Sequence, residues 1–355
     1  MRLTDEQGRA YTPVAFEDWG MPEEVGPAPK EPPAKVGMTA EDWMGELLLE
    51  PEPMPTGTIL DTVLGGGLLP GLTVLGAKSN VGKSILAYEV ATRRALAGGR
   101  ALVVCPDEMP RNVFKHCMCT WLCSKSNDVT EVVTQNDWAA SITAVRHGLP
   151  EGTDLSRYVW ESREPAIATA RRFAATIGDR LVVTDQLGKV SELEEHLDAC
   201  AEADMLPDVV VLDYLQQLVT GDPTVDKDAV AMLDALTNRL RCLAFRHGIP
   251  ILAVSMVRNG TCNPGEEPDL QVYRGSGGIA YNAWAGVVMV KAGSRYVDGD
   301  VDVWCVKNKA GRTGFSVEGH VHGEYSCVRE VAHTPVEPFP DEEDGRTRDM
   351  EIERA

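Results

Sequence analysis

The chain of 355 residues has no uninterrupted apolar run of the roughly 18 residues that a membrane-crossing helix needs, so no transmembrane helix is expected. It is short of positive charge, with 34 Lys and Arg against 54 Asp and Glu, a formal net charge of -20. Binding to a phosphate backbone draws on clustered cations, so bulk electrostatic coating of nucleic acid is excluded and only a local basic channel stays open. The start, "MRLTDEQGRAYTP", lacks the charged-then-apolar order of a secretory signal, and the nine cysteines are therefore expected as reduced thiols in a cytoplasmic protein. No CxxC knuckle accompanies them. Cys117, Cys119 and Cys123 of "HCMCTWLC" fall in a helical segment whose residues two apart point in different directions, and they read as buried thiols.

With 43% hydrophobic and 25% charged residues, the chain can bury a large core. Residues 1–37 carry "GPAPKEPPAKVG" and read as a Pro-rich segment with little stable structure, and 334–355 as an acidic, Pro-rich, solvated tail. Between them, 38–55 reads as a linker helix: Thr39 can cap it with Asp42 three positions on, Trp43, Leu47 and Leu48 supply apolar positions, and Pro51 and Pro53 end it. The triplet "EDW" occurs at Glu17–Trp19 and again at Glu41–Trp43, most simply by coincidence.

Over 56–333 the pattern changes. Apolar runs at 72–76, 100–106, 180–185, 208–215, 249–255, 285–291 and 301–308 read as strands, and helical segments such as 84–97 and 228–247 separate several of them. Continuous apolarity marks strands buried on both faces, so a doubly wound α/β domain is expected, with a mainly parallel sheet and helices on both faces. The last strands are joined by short turns, which suits an antiparallel edge. The mostly helical segment 110–180 has no motif of its own and reads as part of the same domain.

Four constellations carry chemistry. "AKSNVGKS", residues 77–84 (Ala77, Lys78, Ser79, Asn80, Val81, Gly82, Lys83, Ser84), fits a phosphate loop: it follows a strand and opens a helix, so backbone N–H groups and the helix dipole face a phosphate. Lys83 reaches the β- and γ-phosphates of ATP, Ser84 holds Mg²⁺, and Lys78 lies on the outer side of the loop. Asp213 ends the buried run "VVVLDY", where a carboxylate can serve the metal. In "VVCPDEM", Glu108 stands just past a strand and could polarise an attacking water, with Asp107 as its rival; strand alternation favours Glu108. Lys307 and Lys309 of "VKNKAGRTG" share one side of a strand end and read either as a solvated edge or as cations entering a neighbouring subunit's nucleotide site.

Taken in order, "PTGTILDTVLGGGLLPGLTVLGAKSNVGKSILAYEVA", "VVCPDEM", "VVVLDYLQQL", "IPILAVSMVRNG", "YRGSGGIAYNAWAGVVMV" and "VKNKAGRTG" resemble the RecA-type P-loop ATPase domain of DnaB-like replicative helicases over roughly 56–320. The resemblance implies an ATP-hydrolysing helicase of DNA replication that forms a hexameric ring on single-stranded DNA, in a collarless form like the RepA-type ATPases of plasmids and phages. It implies that Ala77 is ordinary at the head of the loop, that Glu108 activates water, that Asp213 serves the metal, and that Lys307 and Lys309 act in trans. It also implies DNA-facing loops after the Asp213 strand and after "ILAVS". The first, "VTGDPTVDKD", is acidic; the second offers Arg258 and Arg274. Met256 stands where the family usually has a Gln sensor. The acidic loop and Met256 favour the alternative, a RecA-type ATPase acting as a regulatory or assembly switch without unwinding, and a recombinase-like reading ranks below both.

Overall fold

The computed structural model describes residues 39–46, 51–125, 134–147, 164–258, 260–273, 277–292 and 299–331. The Pro-rich start, the first "EDW", Arg274 and the acidic tail lie outside the described residues. The chain divides into two compact units, Met1–Glu50 and Pro51–Ala355. In the first, α1 (Ala40–Glu46) begins with the reciprocal cap that the spacing predicts: Asp42 Oδ2 accepts from the Thr39 N–H at 2.8 Å and Thr39 Oγ1 accepts from the Asp42 N–H at 3.2 Å. Trp43 and Met44 of α1 are exposed.

The second unit runs α2 (Ile59–Leu64), β1 (Gly71–Ala77), α3 (Lys83–Leu96), β2 (Ala101–Val104), α4 (Pro110–Cys123), α5 (Gln135–His147), α6 (Glu164–Ile177), β3 (Leu181–Thr184), α7 (Val190–Glu202), β4 (Val209–Leu212), α8 (Ala229–His247), β5 (Pro250–Met256), α9 (Gly277–Asn282), β6 (Ala285–Lys291), β7 (Asp300–Asn308), β8 (Phe315–His322) and β9 (Cys327–Glu330). The strands make one sheet in the order β3-β2-β4-β5-β1-β6-β7-β8-β9. Pairing is parallel from β3 to β6 and antiparallel from β6 to β9.

Two cores flank this sheet, and strand alternation divides the residues between them. On one face Leu75, Val103, Val211, Leu252 and Val287 pack with α2 to α6; on the other Val74, Leu102, Val210, Ile251 and Val288 pack with α7, α8 and α9. The central strands are apolar throughout because both sides of each are covered. Two strands escape the apolar pattern: β8 is half-buried at seven of its eight positions and β9 has only four residues, so neither carries a continuous apolar run. The three α4 cysteines are buried. No helix among the described residues is long and apolar enough to cross a membrane.

Candidate functional site

The parallel strands bring their C-terminal ends to one edge of the sheet, where open α/β folds place ligands. β1 ends at Ala77, which pairs with Met256 on one side and Met289 on the other, and the chain then turns through 78–82 into α3. Asn80 has φ 61° and Gly82 has φ 100°, and Gly82 is the N-cap of α3. A glycine cap supplies no side chain to the first-turn N–H groups, which leaves them directed at an anion.

Asp213 follows β4 immediately, and its N–H donates to the Val104 carbonyl of the neighbouring strand. The carboxylate is 7% exposed and accepts hydrogen bonds from two side chains of α3: the Tyr88 hydroxyl at 2.5 Å, and Ser84. Burial pushes Asp213 above the usual carboxylate range, the two hydrogen bonds and the Lys83 charge pull it back, and Asp107 raises it again. Tyr88 is pushed far upward by burial and then by the Asp213 charge, so it stays a donor.

Glu108 lies on the exposed turn before α4 and is held by its surroundings: Oε1 accepts from the Met109 N–H at 2.8 Å and from Asn112 Nδ2 at 2.6 Å. Its charge reaches Tyr88 and His116, whereas that of Asp107 reaches Asp213. Lys78 donates from Nζ to Asn263 Oδ1 at 3.2 Å, which ties it to the loop after β5. A cleft of about 450 Å³ opens beside the loop, lined by Asn80, Gly82, Ile85, His320, His322 and Tyr325.

The lysines of the last motif lie elsewhere. Lys307 pairs with Gly286, level with Val74, so it sits about 10 Å back along the strands from Ala77, and Lys309 farther still beside Trp284. Lys307 Nζ donates to the carbonyls of Ala280 (2.5 Å) and Tyr281 (3.0 Å) near the end of α9, and burial and the Lys309 charge lower its pKa. Lys309 Nζ stands 5.4 Å over the Trp284 ring. Neither is part of its own chain's phosphate loop.

Arg258 is exposed, its N–H bonded to the Val272 carbonyl and Nε to that of Tyr273. The loop after β4 uses its aspartates locally. Asp222 accepts from Thr224, Asp226 from Thr220 and Gly221, and Asp228 caps α8 through Val230 and Ala231. Beside Met256, the polar link between the β4 turn and the end of β5 is made by Gln216, whose Nε2 donates to Ser255 Oγ at 2.9 Å and whose Oε1 accepts from the Met256 N–H at 3.3 Å. Sequence reasoning passed over Tyr88, Gln216 and Asn263. For Tyr88 the available signal was its i+4 spacing from Ser84 on one helix face; Asn263 has none, because only the fold brings it to Lys78.

Comparison with known proteins bears on the family and the fold. The family described as DnaB-like helicase C terminal domain matches residues 54–327. An ATPase domain solved as a separate chain superposes with a TM-score of 0.64 at 14% identity, covering 84% of this chain and 100% of that one. A DnaB-like replicative helicase, solved in a study of its interactions with primase, superposes with a TM-score of 0.64 at 15% identity, over 82% of this chain and 68% of that one. Both likenesses are of fold. The DNA repair proteins RadA of Mycobacterium tuberculosis strains CDC 1551 and H37Rv are each 53% identical over 58 residues, 16% of this chain and 12% of theirs, so the chain spans about an eighth of the length of these relatives. With three quarters of its length matched by one family, the chain belongs to the DnaB-like helicase C-terminal domain family, an ATPase and helicase family of DNA replication.

Proposed function

We propose that this chain hydrolyses ATP with Mg²⁺ and uses the reaction to move along single-stranded DNA as one subunit of a hexameric ring, with residues 56–333 as the motor domain in the cytoplasm. The observation that carries the reading is the meeting of Ser84 and the buried Asp213 directly behind the glycine-capped start of α3. A hydroxyl and a carboxylate beside Lys83 form a hard oxygen donor set that fits Mg²⁺. Ser84 and Asp213 would hold the ion, which when bound neutralises phosphate charge. The loop amides and Lys83 hold the β- and γ-phosphates, and Glu108, steadied by Asn112, orients the attacking water. Lys307 and Lys309, whose backbone lies back along the sheet from their own loop, are in this reading the cations of a neighbour's site. Arg258 and Arg274 are the DNA contacts of this reading.

The regulatory-switch reading is favoured by one observation: the aspartates of the first loop are committed to turns and to the α8 cap, and they leave that loop poorly matched to phosphates. Steady-state ATPase rates with and without single-stranded DNA separate the two readings, with Lys83→Ala as the blank. Stimulation by DNA supports the motor. A rate indifferent to DNA, with no DNA binding at low salt, leaves the switch. Light scattering with ATP and Mg²⁺ tests the ring, and a monomer under those conditions deprives Lys307 and Lys309 of a partner site.

A further inference from the structure

Tyr88 has no part in the roles assigned so far, yet it touches the centre of the site. It sits four residues after Ser84, so helical geometry stacks both side chains on the face of α3 that meets the end of β4. The residue is 3% exposed, and its ring packs in the apolar core 5.7 Å from the His116 ring. Packing alone asks for no hydroxyl there, and Phe would fill the same volume. A buried tyrosine hydroxyl needs a partner, and the partner here is Asp213 Oδ2 at 2.5 Å, at the short end for a charge-assisted O–H···O⁻ bond.

The carboxylate is thereby held from two directions, by Tyr88 and by Ser84. Two donors on one buried carboxylate fix its rotation about the Cβ–Cγ bond, and a carboxylate that serves a metal depends on such outer partners for its aim. We infer that Tyr88 is a positioning residue for Asp213: its hydroxyl sets the carboxylate against Ser84 and so determines how tightly a divalent cation is held with the nucleotide. The inference rests on the nucleotide reading of the site. It concerns cation affinity and leaves the phosphate contacts of the loop untouched.

The test uses Tyr88→Phe in the full chain, with mant-ADP and Mn²⁺ as probes. Affinity for mant-ADP in EDTA is expected to stay within about twofold of wild type, which also reports an intact fold. Affinity for Mn²⁺ in the presence of ADP, read by electron paramagnetic resonance, is expected to fall roughly tenfold, the lower end for loss of an outer partner at a metal site. In an Asp213→Asn background the same substitution should add less than about a twofold change, because its effect passes through the carboxylate. Unchanged Mn²⁺ affinity, an equal loss in the Asp213→Asn background, or loss of metal-free mant-ADP binding overturns the inference. Should wild type bind no mant-ADP and Lys83→Ala make no difference, the nucleotide reading itself fails and the inference with it.

Discussion

Gly82→Ala strikes the phosphate loop where backbone and neighbour both exclude a side chain. Gly82 has φ 100° and ψ 10°, beyond the left-handed well that L-residues visit, and holding alanine there costs roughly 1–2 kcal/mol. An alanine Cβ would also lie 2.7 and 2.9 Å from the two γ-carbons of Val321 on β8, and forcing a methyl into such a contact adds typically about 1–3 kcal/mol. The two effects together predict a loss of about 2–5 kcal/mol, or roughly 3–9 °C in Tm for a unit of this size. Val321→Ala separates the two parts. It removes both γ-carbons and costs roughly 1 kcal/mol through half-buried methyl groups, yet it relieves only the steric part in the double variant. Denaturant unfolding of the four proteins without nucleotide should give a coupling of about 1–3 kcal/mol between the two sites. Additivity within about 0.5 kcal/mol would refute the contact, and a Gly82→Ala variant as stable as wild type would refute the conformational argument as well.

Two further predictions concern the shell behind the loop. Glu89 on α3 is fully buried and clamps β9, with Arg93 at 2.8 Å, the Val328 N–H at 2.8 Å and Arg329 at 3.7 Å; Glu89→Ala leaves the buried Val328 N–H without its acceptor and should cost about 1–3 kcal/mol in urea unfolding. A cost under about 1 kcal/mol would show that the clamp is not made. Nδ1 of His116 on α4 lies 2.9 Å from both Gln135 Nε2 and Ser326 Oγ, and since the amide nitrogen can only donate, its contact favours the neutral ring. Burial lowers its pKa below the ordinary 6.5, against an upward pull from Glu108 and with a downward push from Lys115. The stability tied to the neutral ring is therefore present above about pH 6.5 and lost as pH falls towards the folded value. Calorimetry between about pH 7.5 and 5.5 should show a smaller drop in Tm for His116→Gln than for wild type, and equal drops would rule the ring out.

Much of the fold could be read along the chain. Strands covered on both faces must be apolar throughout, so β1, β2, β4, β5 and β6 announce themselves as runs. The strand missed most clearly is β8, "FSVEGHVH", where partial exposure mixes polar with apolar positions and backbone pairing with β7 and β9 supplies the order. The short α2 was missed for a related reason: six residues give no helical period, although Thr58 caps its start and Gly65, at φ 76°, closes its end. Of the candidate site, the stretch 77–84 was legible as the turn between a strand and a helix because that signal is local, and it does connect β1 to α3. Asp213 was legible as a strand end, but its hydrogen bond from Tyr88 was not.

The sequence by itself determined the two-sided sheet and its antiparallel edge, since continuous apolar runs and short connections both follow from residue order. Tertiary structure alone decided the rest. Tyr88 meets Asp213 across 125 residues, and Lys78 meets Asn263 across 185, because parallel strands far apart in sequence end at one edge. Register is likewise tertiary: short turns suit an antiparallel edge, but only the folded sheet sets Lys307 opposite Gly286 and level with Val74, away from its own loop.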